Sequence, residues 1–348
     1  MSKKILLIKR GAVGDILMTT PLLRQLRLNL PTTQIDYCLA RSFATVLLNN
    51  PYLDNIITME DNVFESKQII KLIKFILSIR NKYDYIFILG KSWQFNLLSI
   101  LFKGITIGYA RESISKLFLN KYIVYNDILR YHGLYYLDLL KASNLSSPNY
   151  HDLSLDLYVG ENDKLKVHNT LEEKLLNNQK FILVVNSGGN NQYESTGIRM
   201  LPINKFTELI NKLLAHHNVI LLGNNTDKEY YAQIINNNAS LQHNNQHNKN
   251  KIYNLANEFN LQQSTYLISL AYHFYTTDCG AMHLGVAANM QNKMTCFFGP
   301  TSPHHVLPSS TKCKIIWHDA DIFDEKYSIY GTSNDKQYFK KLDIAVIV

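Results

Sequence analysis

No apolar run in this chain approaches the roughly 18 residues that a membrane-spanning helix needs, although 46% of its 348 residues are hydrophobic. A helical integral membrane protein is therefore not expected. The opening, MSKKILLIKRGAVGD, carries an apolar run of four residues that passes straight into a structured motif, which does not suit a signal peptide. The expectation is a cytoplasmic protein. Cysteine is scarce: Cys38, Cys279, Cys296 and Cys313 form no CxxC pair, so neither a disulfide framework nor a cysteine-based zinc site is expected. Acidic residues are in deficit, with 28 Asp and Glu against 36 Lys and Arg and a net charge of +8. That balance suits acidic partners such as phosphorylated small molecules, anionic lipid surfaces or nucleic acid. The cations are scattered and no nucleic-acid reader motif is present, which argues against the last.

What is there has the length of two domains and a strand–helix alternation. Residues 5–8 form a continuous apolar run, as in a parallel strand buried on both faces. Gly11-Ala12-Val13-Gly14-Asp15 follows, then one helical pattern through Ile16, Leu22, Leu26 and Leu30 that stops at Pro31, then a strand at 35–39. The spacing is GxxGD and not the GxGxxG of dinucleotide-binding loops. Gly11 and Gly14 would let the backbone approach a bound group. Asp15 is open to two readings, a helix N-cap or a catalytic carboxylate. Further strands at 55–59, 85–89 and 105–109 alternate with helices at 66–80, 93–103 and 131–140, giving a doubly wound α/β domain over 1–160. On the 66–80 helix Lys67, Lys71, Lys74 and Ser78 share a face. That stripe reads as the solvated edge of a packed helix or as a contact with an anionic membrane.

Residues 161–179 read as a polar, helical linker without strand signals. A second α/β domain, 180–325, opens with a buried strand at 181–185 running into Asn186-Ser187-Gly188-Gly189, either an anion nest or a loop. Arg199-Met200-Leu201-Pro202 precedes a helix at 205–216, a strand at 219–222 and a helix at 227–236 that begins with Asp227. The Asn/Gln/His-rich tract 236–251 reads as a solvated excursion, and His243 and His247 within it lack the further ligands a zinc site needs. In TTDCGAMHLGVAANMQNKMTCFFGPTSP (276–303) a strand feeds Asp278-Cys279-Gly280 and a helix carrying His283. Free amides and the positive helix end make such a loop a phosphate site. Residues 326–348 are a tail expected to pack back on the first domain. With the Gly11–Asp15 loop and the 278–283 loop on opposite sides of one cleft, the architecture suits a two-substrate reaction.

Four segments in order, KKILLIKRGAVGDILMTTPLLRQLR, ILVVNSGG, RMLPINKFTELI and the 276–303 block, resemble the lipopolysaccharide heptosyltransferases of glycosyltransferase family 9 across almost the whole chain. The resemblance implies a GT-B fold, two Rossmann-like domains facing across a cleft. It also implies an inverting, metal-free transfer of a sugar, typically heptose from ADP-heptose, onto a lipopolysaccharide core, with no cofactor beyond the nucleotide-sugar donor. Asp15 would be the base that deprotonates the acceptor hydroxyl. A carboxylate at a helix N-terminus is ordinarily a weak base, which burial would have to offset. Arg199 would replace the family's lysine at the sugar diphosphate. Gly14, Ser187, Asp278, Cys279, Gly280 and His283 would serve the donor, and Asp227 would lie near the acidic contact to the nucleotide ribose. Leu201 stands where the family has tryptophan and Cys279 where it has threonine. The acceptor, a lipid A–linked core, implies peripheral contact with the inner face of the inner membrane. Another nucleotide-activated sugar, or nucleotide binding without catalysis, is the alternative. Asp319-Ala320-Asp321 resembles the metal-binding DxD of the other glycosyltransferase architecture, but no such layout surrounds it.

Overall fold

The computed structural model describes residues 3–61, 68–91, 93–126, 130–188, 196–247, 249–318 and 338–347. Lys67, Gly189 and the Asp319-Ala320-Asp321 motif lie outside them. The chain forms two units, Met1–Tyr158 and Val159–Val348, each built on a six-stranded sheet.

The first unit runs β1 (Lys4–Ile8), α1 (Val13–Leu17), α2 (Thr20–Asn29), β2 (Gln34–Ala40), β3 (Asn55–Met59), α3 (Ile69–Ile79), β4 (Tyr85–Ile88), α4 (Trp93–Leu98), β5 (Ile105–Ala110), β6 (Lys121–Val124) and α5 (His132–Ser143). Its strand order is β3-β2-β1-β4-β5-β6, with every pairing parallel. β1 and β4 are central and buried on both faces, which is why their sequences show no polar alternation. Leu72 and Ile76 of α3 join Phe95 and Leu98 of α4 over one face of the sheet. The single helix expected after the glycine loop is two. Pro21 has no N–H to give to the Leu17 carbonyl, and the Thr20 hydroxyl takes that acceptor instead at 2.7 Å. The Thr19 hydroxyl does the same for Ile16 at 2.7 Å. Arg24, on α2, is buried and ion-paired with Asp152 (2.7 Å) and with Asp156.

The second unit runs α6 (Glu161–Glu173), β7 (Phe181–Val185), α7 (Ile203–Leu214), β8 (Asn218–Leu221), α8 (Asn225–Asn237), α9 (Ala239–His247), β9 (Ile252–Asn254), α10 (Leu261–Leu270), β10 (His273–Thr277), α11 (Gly280–Ala287), β11 (Met294–Phe297), α12 (Pro303–Val306) and β12 (Lys314–Ile316). The order, β12-β11-β10-β7-β8-β9, is the first sheet's order read from the other edge, and again all pairings are parallel. α7 shows how the pattern makes the packing. Phe206, Leu209, Ile210, Leu213 and Leu214 recur at helical spacing, and all five are buried in the core of this unit.

Three expectations need correction here. The stretch 161–179 is no linker. Val167, Thr170 and Leu171 of α6 are buried at helical spacing, and Asp163 accepts from Asn260 (3.1 Å) and Gln263 (2.9 Å), which fastens α6 to the start of α10. The Asn-rich tract contains a helix, α9, because the Asn238 side chain caps the Leu241 amide at 3.0 Å and Leu241 is buried in the core. The described end of the chain, 338–347, packs with the second unit, where Tyr338, Phe339, Leu342 and Ile344 are large apolar side chains that complete its core. All four cysteines are buried thiols. Among the described residues no group of three His, Cys, Asp or Glu is placed to hold a metal ion, and no helix is long and apolar enough to cross a membrane.

Candidate functional site

In doubly wound sheets ligands sit beyond the carboxyl ends of the strands, where the strand order reverses. The reversal lies between β1 and β4 in the first unit and between β7 and β10 in the second. The stretches singled out from the sequence fall there: the Gly11–Asp15 loop follows β1, Asn186-Ser187 follows β7 and Asp278-Cys279-Gly280 follows β10.

In the first unit Ala12, not Asp15, is the N-cap of α1. Asp15 lies within the first turn and makes no cap bond, so the capping reading is overturned. Its carboxylate instead meets Lys9 Nζ at 3.3 Å, with 37% of the side chain exposed. Desolvation raises its pKa, but the charges of Lys9, His132 and Lys91 lower it further, and the group ends below its ordinary value. The offset by burial that a strong base would need is thus outweighed in this state. Gly14, also in the first turn of α1, is buried. Gly11 has a packing role, because a Cβ there would lie 2.3 Å from the Phe43 ring.

The two lysines near Asp15 lie against aromatic rings. Lys9 Nζ lies 5.6 Å from the Tyr136 ring centroid, a cation–π distance. Lys91, three residues past β4, donates to Tyr125 Oη at 2.6 Å. Arg130 stacks on Tyr135 at 4.1 Å and pairs with Asp138, which also accepts from Tyr150 Oη at 2.8 Å. Sequence reasoning missed Lys9, Lys91 and His132. Lys9 and Lys91 are the first cations after the two central strands, a signal that becomes readable once the strand order is known.

In the second unit the ends of β7 and β10 are tied together. The Thr277 hydroxyl donates to the Ser187 carbonyl (2.7 Å) and accepts from the Ser187 amide (3.1 Å). The Asn186 side chain accepts from the Leu201 amide (2.7 Å) and donates to the Leu201 carbonyl (3.2 Å). Arg199 Nη1 reaches Asp278 Oδ2 at 3.3 Å, with 5% of the Asp278 side chain exposed. Ser187, Arg199, Asp278, Cys279 and Gly280 therefore gather at one place.

Cys279 occupies the N-cap of α11 with extended backbone and no side-chain cap bond. Burial raises its thiol pKa, opposed by the Thr276 hydroxyl and by the amides of Ala281 and Met282, so it is a neutral thiol beside the helix start. At the start of α11 the Met282 amide donates to the Cys279 carbonyl at 3.1 Å, and the amides before it have no carbonyl partner within the helix, as at any helix start. α11 can lie close to β10 because Gly285 has no side chain; a Cβ would fall 2.6 Å from Met294 Sδ and 2.9 Å from the Phe274 ring. His283 is buried on the same helix. Asp227 is buried, and its carboxylate accepts from the Asn224 amide at 2.9 Å in the capping box of α8. Burial raises its pKa, while the Asn224 amide and the Ser187 hydroxyl lower it. Asp227 thus adjoins Ser187 and serves first as a cap.

The sequence model of glycosyltransferase family 9 (heptosyltransferase) matches residues 72–327. The lipooligosaccharide heptosyltransferase 2 of Haemophilus ducreyi is 24% identical over 324 residues, covering 90% of this chain and 88% of that protein. Among solved structures, a glycosyltransferase family 9 protein of Veillonella parvula superposes with a TM-score of 0.76 at 16% identity, over 99% of this chain and 94% of that one. The E. coli ADP-heptose lipopolysaccharide heptosyltransferase II does so with a TM-score of 0.68 at 23% identity, over 90% of each chain.

Proposed function

This chain belongs to glycosyltransferase family 9, and from that premise we propose that it transfers heptose from ADP-heptose to the lipopolysaccharide core, with inversion and without a metal. The observation that carries the mechanism is a pairing of opposites. One sheet reversal presents a carboxylate free of any capping duty, and the other presents helix amides beside a guanidinium.

Asp15 accepts the proton of the acceptor hydroxyl as that oxygen forms its bond to the anomeric carbon. The bond from that carbon to the diphosphate breaks on the opposite face, and ADP leaves carrying the charge. The amides at the start of α11 and Arg199 stabilise that charge as it develops, where the largest catalytic return lies. Asp278 holds Arg199 in place. A free Asp15 with a lowered pKa is a weak base. An acceptor bearing acidic groups would draw Lys9 and Lys91 to itself, and the loss of their field would raise Asp15 toward a useful value. The acceptor is a lipid-linked core, so the protein would work at the cytoplasmic face of a membrane while not spanning it.

The test is direct. Purified protein is given ADP-heptose and a heptose-deficient core acceptor, and mass spectrometry follows the product while NMR reports its anomeric configuration. The expected result is one heptose added with inversion, unchanged by EDTA. Preference for another nucleotide-sugar would overturn the donor, and strict manganese dependence would overturn the metal-free reading.

A further inference from the structure

Seven of the eighteen large hydrophobic side chains exposed among the described residues fall between Ile69 and Leu117, so they are concentrated and not scattered. They also share a layer. α3 and α4 cover the same face of the first sheet through Leu72, Ile76, Phe95 and Leu98, which turns their opposite sides outward together. On α3, Ile70 and Leu77 are seven residues apart, two helical turns on one stripe, and Ile70 is 67% exposed. Beyond α4 the chain makes a 3-10 turn, Ser99–Leu101, and a second one, Ser113–Leu117, packs beside α4. The two are joined where the Ser99 hydroxyl meets the Phe118 carbonyl at 2.8 Å. Ile100 is 58% exposed and Leu117 80% exposed, with Leu97 and Ile114 beside them.

The same stretch is strongly cationic. From Ile69 to Leu117 the chain holds eight Lys or Arg and two Asp or Glu, a net +6 within a chain whose total is +8. Lys71, Lys74, Lys103 and Lys116 are all exposed. Protruding aliphatic side chains among lysines match an anionic bilayer surface, where the apolar groups enter the acyl boundary and the ammonium groups meet lipid phosphates. A second copy of the chain fits badly, because two such faces would set cation against cation.

We propose that the outward side of α3, α4 and the 3-10 turns at Ser99–Leu101 and Ser113–Leu117 is a docking surface for an anionic lipid bilayer, with Ile100 and Leu117 inserted and Lys71, Lys74, Lys103 and Lys116 at the headgroups. This deepens the membrane-contact part of the proposed function and names the surface. Its test uses neither donor nor acceptor, so its failure would leave the transfer reading standing.

The full-length protein is floated with vesicles of phosphatidylglycerol and phosphatidylethanolamine, and separately with pure phosphatidylcholine. Binding is expected only to the anionic vesicles. Ile100→Ser with Leu117→Ser should weaken it roughly tenfold, and Lys71→Glu with Lys74→Glu and Lys116→Glu should abolish it, since the apolar and electrostatic parts act together. The chain has two tryptophans. In a Trp317→Phe background the remaining one, Trp93 at the start of α4, should be quenched by brominated anionic lipid, a readout independent of any surface variant. No binding by the wild type, undiminished binding by the Ile100/Leu117 variant, or an unquenched Trp93 would each overturn the proposal. So would a change in oligomeric state of that variant with vesicle binding intact, which would make the patch a self-association face.

Discussion

The two sheet reversals have one topology and opposite electrostatics. In the first unit a partly exposed carboxylate, Asp15, stands in the field of Lys9, His132 and Lys91. In the second a partly exposed cation, Arg199, covers a buried carboxylate, Asp278. Strand order decides where a ligand can sit, and the residues that follow the central strands decide what kind of ligand it is. The first site suits a hydroxyl about to lose a proton beside acidic groups. The second suits a diphosphate.

Substitutions can separate the two. Asp15→Asn keeps the shape and removes the proposed base, and kcat should fall about 10²- to 10⁴-fold with the donor KM unchanged. A loss confined to donor KM would place Asp15 on the wrong side of the comparison. Arg199→Ala should do the reverse, raising donor KM about 10- to 100-fold. It also leaves Asp278 buried without its cation, so the melting temperature should drop, whereas Arg199→Lys should restore it in part.

Lys9→Met tests the field around Asp15. The folded pKa of Asp15 is depressed, so its ion-pair stabilisation is present above the unfolded value and is lost as pH falls through the folded one. Removing Lys9 leaves the cost of burying the carboxylate's charge less opposed. The acid limb of kcat/KM should move to higher pH, and an unmoved limb would show that Lys9 does not set the pKa of Asp15. The smallest effect is expected from Cys279→Thr. A hydroxyl caps better than a thiol, so α11 should gain about 0.5 kcal/mol in chemical denaturation while donor KM changes within about twofold, the amides being the same.

Much of this arrangement was legible before the fold was known. The central strands announced themselves as apolar runs, and both loops were placed by the strand–glycine–helix pattern. The break between α1 and α2 was hidden because the apolar spacing runs on through it; only the hydroxyl bonds of Thr19 and Thr20 show how the chain accommodates Pro21. The helix at α6 was readable but its packing was not, because only Val167, Thr170 and Leu171 are buried along it; α9 was missed because Leu241 is its one core residue among those described and its start rests on the Asn238 cap. Lys9 and Lys91 are 82 positions apart in the numbering and belong together only because β1 pairs with β4.

The bonds from Asn186 to residue 201 reach only main-chain atoms. The grip itself does not depend on the side chain at 201, which packs separately into the core. These main-chain bonds hold the chain two residues after Arg199. The grip thus separates what position 201 does with its main chain from what it does with its side chain, and it puts the demand for a particular side chain on the asparagine that does the gripping.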